Sequence, residues 1–104
     1  MHSDVYIISR VPKYFSFRSQ FCTQYLKYVS GVCVNLDQHL VVADNKLCQI
    51  FIFQVNGKLI SKFGKRGTGP SQLAGPHYVA VNRNNEILVT DFYNHCVKVC
   101  SLDF

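Results

Sequence analysis

Apolar and polar positions along this chain fall into short runs that read as strand after strand from Gly31 onward. Residues 32–35 form a brief apolar run. Residues 39–44 follow, with Leu40 and Val42 on one face and Val41 and Ala43 on the other. Apolar residues on both faces predict a strand covered on both sides, as when sheets stack. Residues 49–54 repeat the pattern, with Ile50 and Ile52 opposed to Phe51 and Phe53. Asn56-Gly57 supplies the positive φ angles of a tight hairpin turn, and residues 58–63 are the returning strand. These four strands make one antiparallel sheet. A connector rich in Gly and Pro spans residues 64–76. Three more strands are predicted at 78–82, 86–91 and 95–101, with Asn84-Asn85 placed where Asp37-Gln38 falls in the first set.

The two sets are copies. Residues 31–53 lie on residues 78–100 without a gap at an offset of about 47 residues, the upper range for stacked repeats. Val32 meets Val79, Val34 meets Val81, Asn35 meets Asn82, Val42 meets Val89 and Asp44 meets Asp91. Leu40 with Ile87, Ile50 with Val97 and Ile52 with Val99 keep the apolar character. One such unit cannot bury its own faces and depends on neighbours. The sequence ends at Phe104, where the second hairpin turn is expected, so the fourth strand of the second unit is expected to be missing and the chain to be a piece of something larger.

Residues 1–30 do not match the repeat. A short strand is predicted over 5–11 and a helix over 18–28. Phe15, Phe17, Phe21, Tyr25 and Tyr28 make an aromatic stretch that reads as a packing surface, although an aromatic and basic run can also stack bases. The net charge of +5 is concentrated here: Arg10, Lys13, Arg18 and Lys27 stand against Asp4 alone. The repeat region is nearly balanced, too weak a bias to argue for nucleic acid by charge. Arg10 and Lys13 interrupt the apolar run at 5–8 before a signal peptide takes shape, and no apolar run approaches the roughly 20 residues of a membrane span. The five cysteines are odd in number and contain no C-x-x-C pair, so they read as buried free thiols of a reducing compartment. Cys96 and Cys100 share a strand face but stand about 13 Å apart at roughly 3.3 Å per residue, too far for one zinc ion.

Few side chains point to chemistry. Asp44 and Asp91 are the sharpest polar pair, but they repeat one position rather than converge, so they read as structural carboxylates accepting turn N–H groups. The glycine loop lacks the Lys-Ser/Thr and the following helix of a phosphate loop, so it reads as a linker. Lys58, Lys62, Lys65 and Arg66 form the basic cluster of the repeat region. Of these, Lys62, Lys65 and Arg66 are the candidate binding residues on the linker edge. His39, His77 and His95 are spread over separate turns and strands, which argues against a metal site or a triad.

Four-stranded units repeated at about this spacing read as propeller blades. The residues Val32-Cys-Val-Asn35, Leu40-Val-Val-Ala-Asp44, Asn56-Gly57 and Phe63-Gly64, with Val79-Ala-Val-Asn82, Ile87-Leu-Val-Thr-Asp91 and Asn94-His95, resemble the NHL repeat. Asp44-Asn-Lys46, Phe51-Ile-Phe-Gln54, Ala74-Gly-Pro-His77, Asn84-Asn-Glu-Ile87 and Val97-Lys-Val99 resemble the NHL propellers of the tripartite motif-containing family, and within it the branch of its second and third members. The resemblance covers about residues 31–102. It marks Asp44, Asp91, Gly57 and Asn94 as repeat-signature residues. The family pattern has an Asn three residues after the strand-end Asp and an Arg two beyond that. Here Leu47 and Gln49 stand in the first unit, and Cys96 replaces the Arg in the second.

The expected fold is therefore all-β: a partial NHL-type β-propeller of about one and three-quarter four-stranded antiparallel blades of a six-bladed parent. The expected division is a basic, aromatic non-repeat segment at 1–30, a blade with its linker at 31–76 and a second, truncated blade at 77–104. The resemblance implies a non-catalytic, cytoplasmic substrate-recognition module of a RING-type ubiquitin ligase family, with neither cofactor nor metal. The paired Cys and His ligands of a RING are absent from the sequence, so ligase chemistry would belong to a longer parent. The expected partners are a protein target on the propeller surface, RNA as the alternative, and further blades or self-association, with no membrane. A propeller enzyme with metal in its channel is a third class, disfavoured by the dispersed histidines. Residues 31–104 alone should leave faces and edges uncovered. That piece is predicted to oligomerise or precipitate; a monomeric, cooperatively melting sample in sedimentation and calorimetry would contradict this.

Overall fold

The computed structural model of the chain describes residues 4–9, 16–22 and 25–101, the first two stretches as backbone only. Nine strands follow one another: β1 (Asp4–Ser9), β2 (Ser16–Cys22), β3 (Val29–Val34), β4 (Leu40–Asp44), β5 (Gln49–Phe53), β6 (Leu59–Phe63), β7 (Pro76–Val81), β8 (Ile87–Asp91) and β9 (Cys96–Cys100). They make a β1-β2 hairpin, a four-stranded antiparallel sheet β3-β4-β5-β6 and a three-stranded antiparallel sheet β7-β8-β9. The strands of both repeat units lie within a few residues of their expected positions.

The helix expected over 18–28 is not there among the described residues. Residues 16–22 form β2 instead, paired antiparallel with β1 from Asp4↔Cys22 to Ser9↔Ser16. Aromatic residues favour extended backbone, and a strand alongside supplies the hydrogen bonds that a helix would have made internally. The side chains of Phe15, Phe17 and Phe21, and residues 102–104 where the second hairpin turn is expected, lie outside the described residues. Among the described residues no α-helix occurs, only the short 3-10 turn Phe92–Asn94.

The sheets stack through their apolar faces. Val41, Ala43, Cys48, Ile50 and Ile52 of the first unit meet Ile87 and Val89 of the second, with Leu73 of the connector, in one buried cluster. β7 is the strand that lies against β3 and β4. The opposite face of the first sheet carries a second buried cluster, Leu26, Leu40, Val42, Phe51 and Phe53. Double-sided burial of β4 and β5 is what their unbroken apolar runs require.

Three hairpin turns share one design. Gln38 N–H bonds back to Asn35 O, and Asn35 N–H bonds to His39 O. Asn85 with Asn82, and Gly57 with Gln54, repeat the arrangement. In each, a single residue takes positive φ: Gln38 (64°), Gly57 (93°) and Asn85 (60°). Asn56 has no positive φ, which corrects the expectation of two such residues at Asn56-Gly57. The turn is the longer type in which one left-handed residue closes the hairpin, with Asn56 Oδ1 accepting Lys58 N–H. Asn35 and Asn82 brace the other two turns through Oδ1, each accepting two backbone N–H groups.

These turns also join the sheets. Asn85 accepts Leu36 N–H and donates to Asp37 Oδ2 at one end. At the other end Ser30 Oγ donates to Pro76 O at 2.7 Å. Between them β3 and β7 approach so closely that a methyl at Gly31 would stand 2.7 Å from His77 O. Backbone cannot swing aside as a long side chain can. Gly31→Ala should therefore cost about 1–3 kcal/mol, seen as a lower urea midpoint with unchanged slope; a wild-type midpoint would show that the sheets part freely.

Candidate functional site

The described side chains with chemical potential gather at the end of the sheets where β4 and β8 finish and the connector enters. Asp44 and Asp91 are fully buried there. Asp44 Oδ2 accepts the N–H groups of Lys27 (2.6 Å) and Tyr28 (3.0 Å), and Oδ1 accepts that of Leu47. Asp91 Oδ1 accepts the N–H groups of Ala74 and Gly75, both at 2.9 Å. Lys27 and Tyr28 are the register equivalents of Ala74 and Gly75. The same holds for the bonds Asn45 N–H to Tyr28 O and Phe92 N–H to Gly75 O. Leu26 and Leu73, both buried, are the next pair upstream. The structural equivalence thus begins at Leu26, ahead of Gly31, where Leu is the one identity between the two stretches and gave too faint a signal to find.

The second carboxylate carries more. Asn94 Nδ2 donates to Asp91 Oδ2 at 2.7 Å and to Gly67 O at 3.0 Å. Lys98 Nζ lies 3.2 Å from Asp91 Oδ2 and donates to Gly69 O and Gln72 O. Burial pushes the Asp91 carboxyl up. The Ala74 N–H, Asn94, Lys98 and the Gly75 N–H outweigh that and hold it below the ordinary carboxylate value. Its cation comes from position 98, two residues beyond Cys96, where the family pattern has Arg. The first unit has Phe51 at that register, buried and stacked on Phe53. Both carboxylates are fully buried, and each spends its oxygens on the chain.

The connector is closed by a parallel bridge between Arg66 and Leu73 and by Gln72, whose Oε1 accepts Gly69 N–H. Arg66 Nη2 donates to Lys46 O at 2.7 Å. The exposed cations Lys27, Lys46, Lys65 and Arg66 therefore belong to one end of the molecule. Lys62 does not join them: it lies along β6 with its ammonium 6.0 Å from the centre of the Phe51 ring. Gly57 is at the opposite end, in the β5–β6 turn. Lys27 and Lys46 were missed because they are distant from residues 62–66 in sequence.

Aromatic rings share the connector end. Tyr28, Tyr78, Phe92 and Tyr93 are all exposed. His77 stands 5.0 Å from Phe92 between ring centres, and Phe92 meets Tyr93 edge-on at 5.2 Å. An open cleft of about 520 Å³ runs between His77, Tyr78, Thr90, Asp91, Phe92, His95 and Cys96. A second, of about 350 Å³, lies between Tyr28, Ser30, Asn45, His77 and Tyr93. His77 and His95, which look dispersed in the sequence, thus line one cleft, while His39 is at the far end of β4. Among the described residues no group of three or more His, Cys, Asp or Glu is placed to hold a metal ion. Cys48 is buried, Cys33 and Cys100 are half-buried with thiols raised by burial, and Cys96 is exposed, contrary to the expectation of uniformly buried thiols.

Residues 73–100 match the NHL repeat. That span runs from Leu73 to Cys100, the register counterpart of residues 26–53, so it begins where the structural equivalence begins and covers the three strands that the two sheets share. The chain is also 43% identical over 63 residues to Protein brain tumor of Drosophila melanogaster, a stretch that takes in 60% of this chain and 6% of that protein. The chain therefore spans a small part of the length of the curated relative it matches. The two stacked antiparallel sheets are blades of a partial NHL-type β-propeller.

A depressed carboxyl pKa contributes stability that is present above its unfolded value and lost as pH falls through its folded value. Asp91 is therefore expected to give an acid-sensitive limb to stability. Asp91→Asn should flatten that limb between neutral pH and the folded pKa and cost about 1–3 kcal/mol at pH 7. Urea midpoints across the acid range check both; an unchanged acid limb would assign it to another group.

Proposed function

We propose that this chain is the protein-recognition part of an NHL propeller and binds its target at the connector end. The observation that carries this is the exposed ring cluster of Tyr28, Tyr78, Phe92 and Tyr93 beside two open clefts. Exposed aromatics grouped around concave surface are the usual anchors of protein interfaces. Loops supported by rigid strands are where binding residues concentrate. The connector end fits this, since Asp44 and Asp91 fasten the loops that present the rings. By resemblance the parent belongs with the tripartite motif-containing ubiquitin ligases, nearest their second and third members, acting in the cytoplasm. In such a protein ligase chemistry lies in other domains and this surface selects what is modified.

RNA is the second reading, favoured by Lys27, Lys46, Lys65 and Arg66 standing at the same end as the rings. Stacking platforms framed by cations hold single strands, and their affinity falls steeply with salt. Two measurements separate the readings. Peptide-array binding should be retained at high salt and lost, by tenfold or more, in Phe92→Ala and Tyr93→Ala. Fluorescence anisotropy with single-stranded RNA should show no binding that Lys65→Glu with Arg66→Glu abolishes. Salt-dependent RNA binding that these charge reversals remove, with no peptide bound, would replace the first reading by the second.

A further inference from the structure

The connector presents an alcohol behind two cations. Lys65 and Arg66 stand three and two positions ahead of Thr68. Among the serines and threonines of the chain, Thr68 alone has a cation at both positions. Ser16, Ser30, Ser61 and Ser101 have a lysine three positions ahead and an uncharged residue two ahead. Folding leaves the run on the surface: Lys65, Arg66, Thr68, Pro70 and Ser71 are all exposed. The loop closes around Thr68 through Gly67 N–H to Leu73 O and Gln72 N–H to Gly69 O. Asn94 and Lys98 hold the carbonyls on either side of it, Gly67 O and Gly69 O. The Thr68 hydroxyl itself has no hydrogen-bond partner among the described residues. Its neighbours are pinned while the hydroxyl is left to solvent.

We propose that Thr68 is a phosphorylation site for a protein kinase that selects basic residues ahead of its acceptor. Such kinases read their substrates by charge pattern, with carboxylates facing the substrate cations. Arg66 is bonded to one exposed carbonyl, Lys46 O. A kinase carboxylate offers it a stronger, charge-assisted pair in exchange. Glycine on both sides of Thr68 lets the backbone extend into a kinase cleft. In the transfer, Thr68 Oγ1 bonds to the γ-phosphorus of ATP, the bond from that phosphorus to ADP breaks, and the hydroxyl proton passes to the kinase base. The phosphate adds a charge of about −1.5 to −2 at pH 7. That offsets close to half of the exposed cations of the connector end, Lys27, Lys46, Lys65 and Arg66. Asn94, which holds Gly67 O, belongs to the turn that carries Phe92 and Tyr93, so the modified residue adjoins the ring cluster. Phosphorylation thus switches that end from strongly cationic to weakly so, whichever ligand binds there.

The test incubates the full chain, below its melting transition, with magnesium-ATP and the catalytic subunit of cyclic-AMP-dependent protein kinase. Fragment mass spectrometry should place one phosphate at Thr68. Thr68→Ala should lose that phosphate and Thr68→Ser should keep it. Removing both cations, Lys65→Ala with Arg66→Ala, should slow transfer by about tenfold or more, the loss of a charge-assisted contact. Lys65→Ala alone serves if the pair disturbs the circular dichroism. The phosphorylated chain should leave a heparin column at lower salt than the unmodified chain. A chain that takes up no phosphate would overturn the proposal, as would modification at Ser16, Ser30, Ser61 or Ser101 in place of Thr68. Transfer at the wild-type rate without the cations, or an unchanged heparin elution, would do the same.

Discussion

A sheet that is apolar on both faces has to be covered on both, and nearly every feature of this chain answers to that requirement. β4 and β5 bury every residue from Leu40 to Asp44 and from Ile50 to Phe53. Burying a side chain of this size is worth about 1.5–3 kcal/mol. Exposing either face would therefore forfeit several such terms, against a net stability of about 5–15 kcal/mol for a whole domain. Stacking is thus a condition of folding for the first unit. It also explains why Gly31 must be small: sheets close enough to exclude water bring β3 and β7 nearly into backbone contact.

Stacking alone does not fix where the next sheet begins. That task falls to the buried carboxylates. Asp44 and Asp91 each end a strand and hold two successive N–H groups of the segment that enters their own unit. A buried carboxylate is costly unless its oxygens are satisfied, and these are satisfied by the chain itself. The entering strand is thereby held beside the strand that the carboxylate terminates. In the second unit, Asn94 and Lys98 extend the same network into the connector. One residue type at one register thus sets both the start of each sheet and the shape of the end that carries the exposed rings.

How much of this the sequence disclosed depended on how local the signal was. The strands were legible from alternation and from the 47-residue copy, because both faces of β4 and β5 demand apolar residues in either unit. Three-residue turn chemistry was half legible: Asn and Gly marked the turns, but which residue would take positive φ depends on twist and pairing. Residues 18–22 were misread because an aromatic run has no period that separates helix from strand without a partner. Lys62, Lys65 and Arg66 looked like one cluster because they are close in sequence, whereas Lys62 is drawn to the Phe51 ring and Lys46 is brought to Arg66. Side-chain groupings made by folding across about 20 residues or more leave no local trace.

The cleft shows why such groupings follow from the repeat even when no motif marks them. In each unit the strand-end Asp starts a short turn whose last residue is left-handed: Cys48 (φ 56°) in the first, His95 (φ 53°) in the second. Between Asp and that residue the backbone is held; the side chains of Asn45, Leu47 and Asn94 bond or pack against the chain, while Lys46, Phe92 and Tyr93 are left exposed. The first unit exposes Lys46 there, the second Phe92 and Tyr93. A fixed backbone with free side chains lets polar and aromatic residues alternate from blade to blade on one surface. Recognition by such a surface comes from the sum over neighbouring turns, since each turn contributes only one or two exposed side chains between the Asp and the left-handed residue. The Tyr93 ring against Gly75 and the His77 ring against Phe92 set the turn after β8 against the end of the connector and the start of β7.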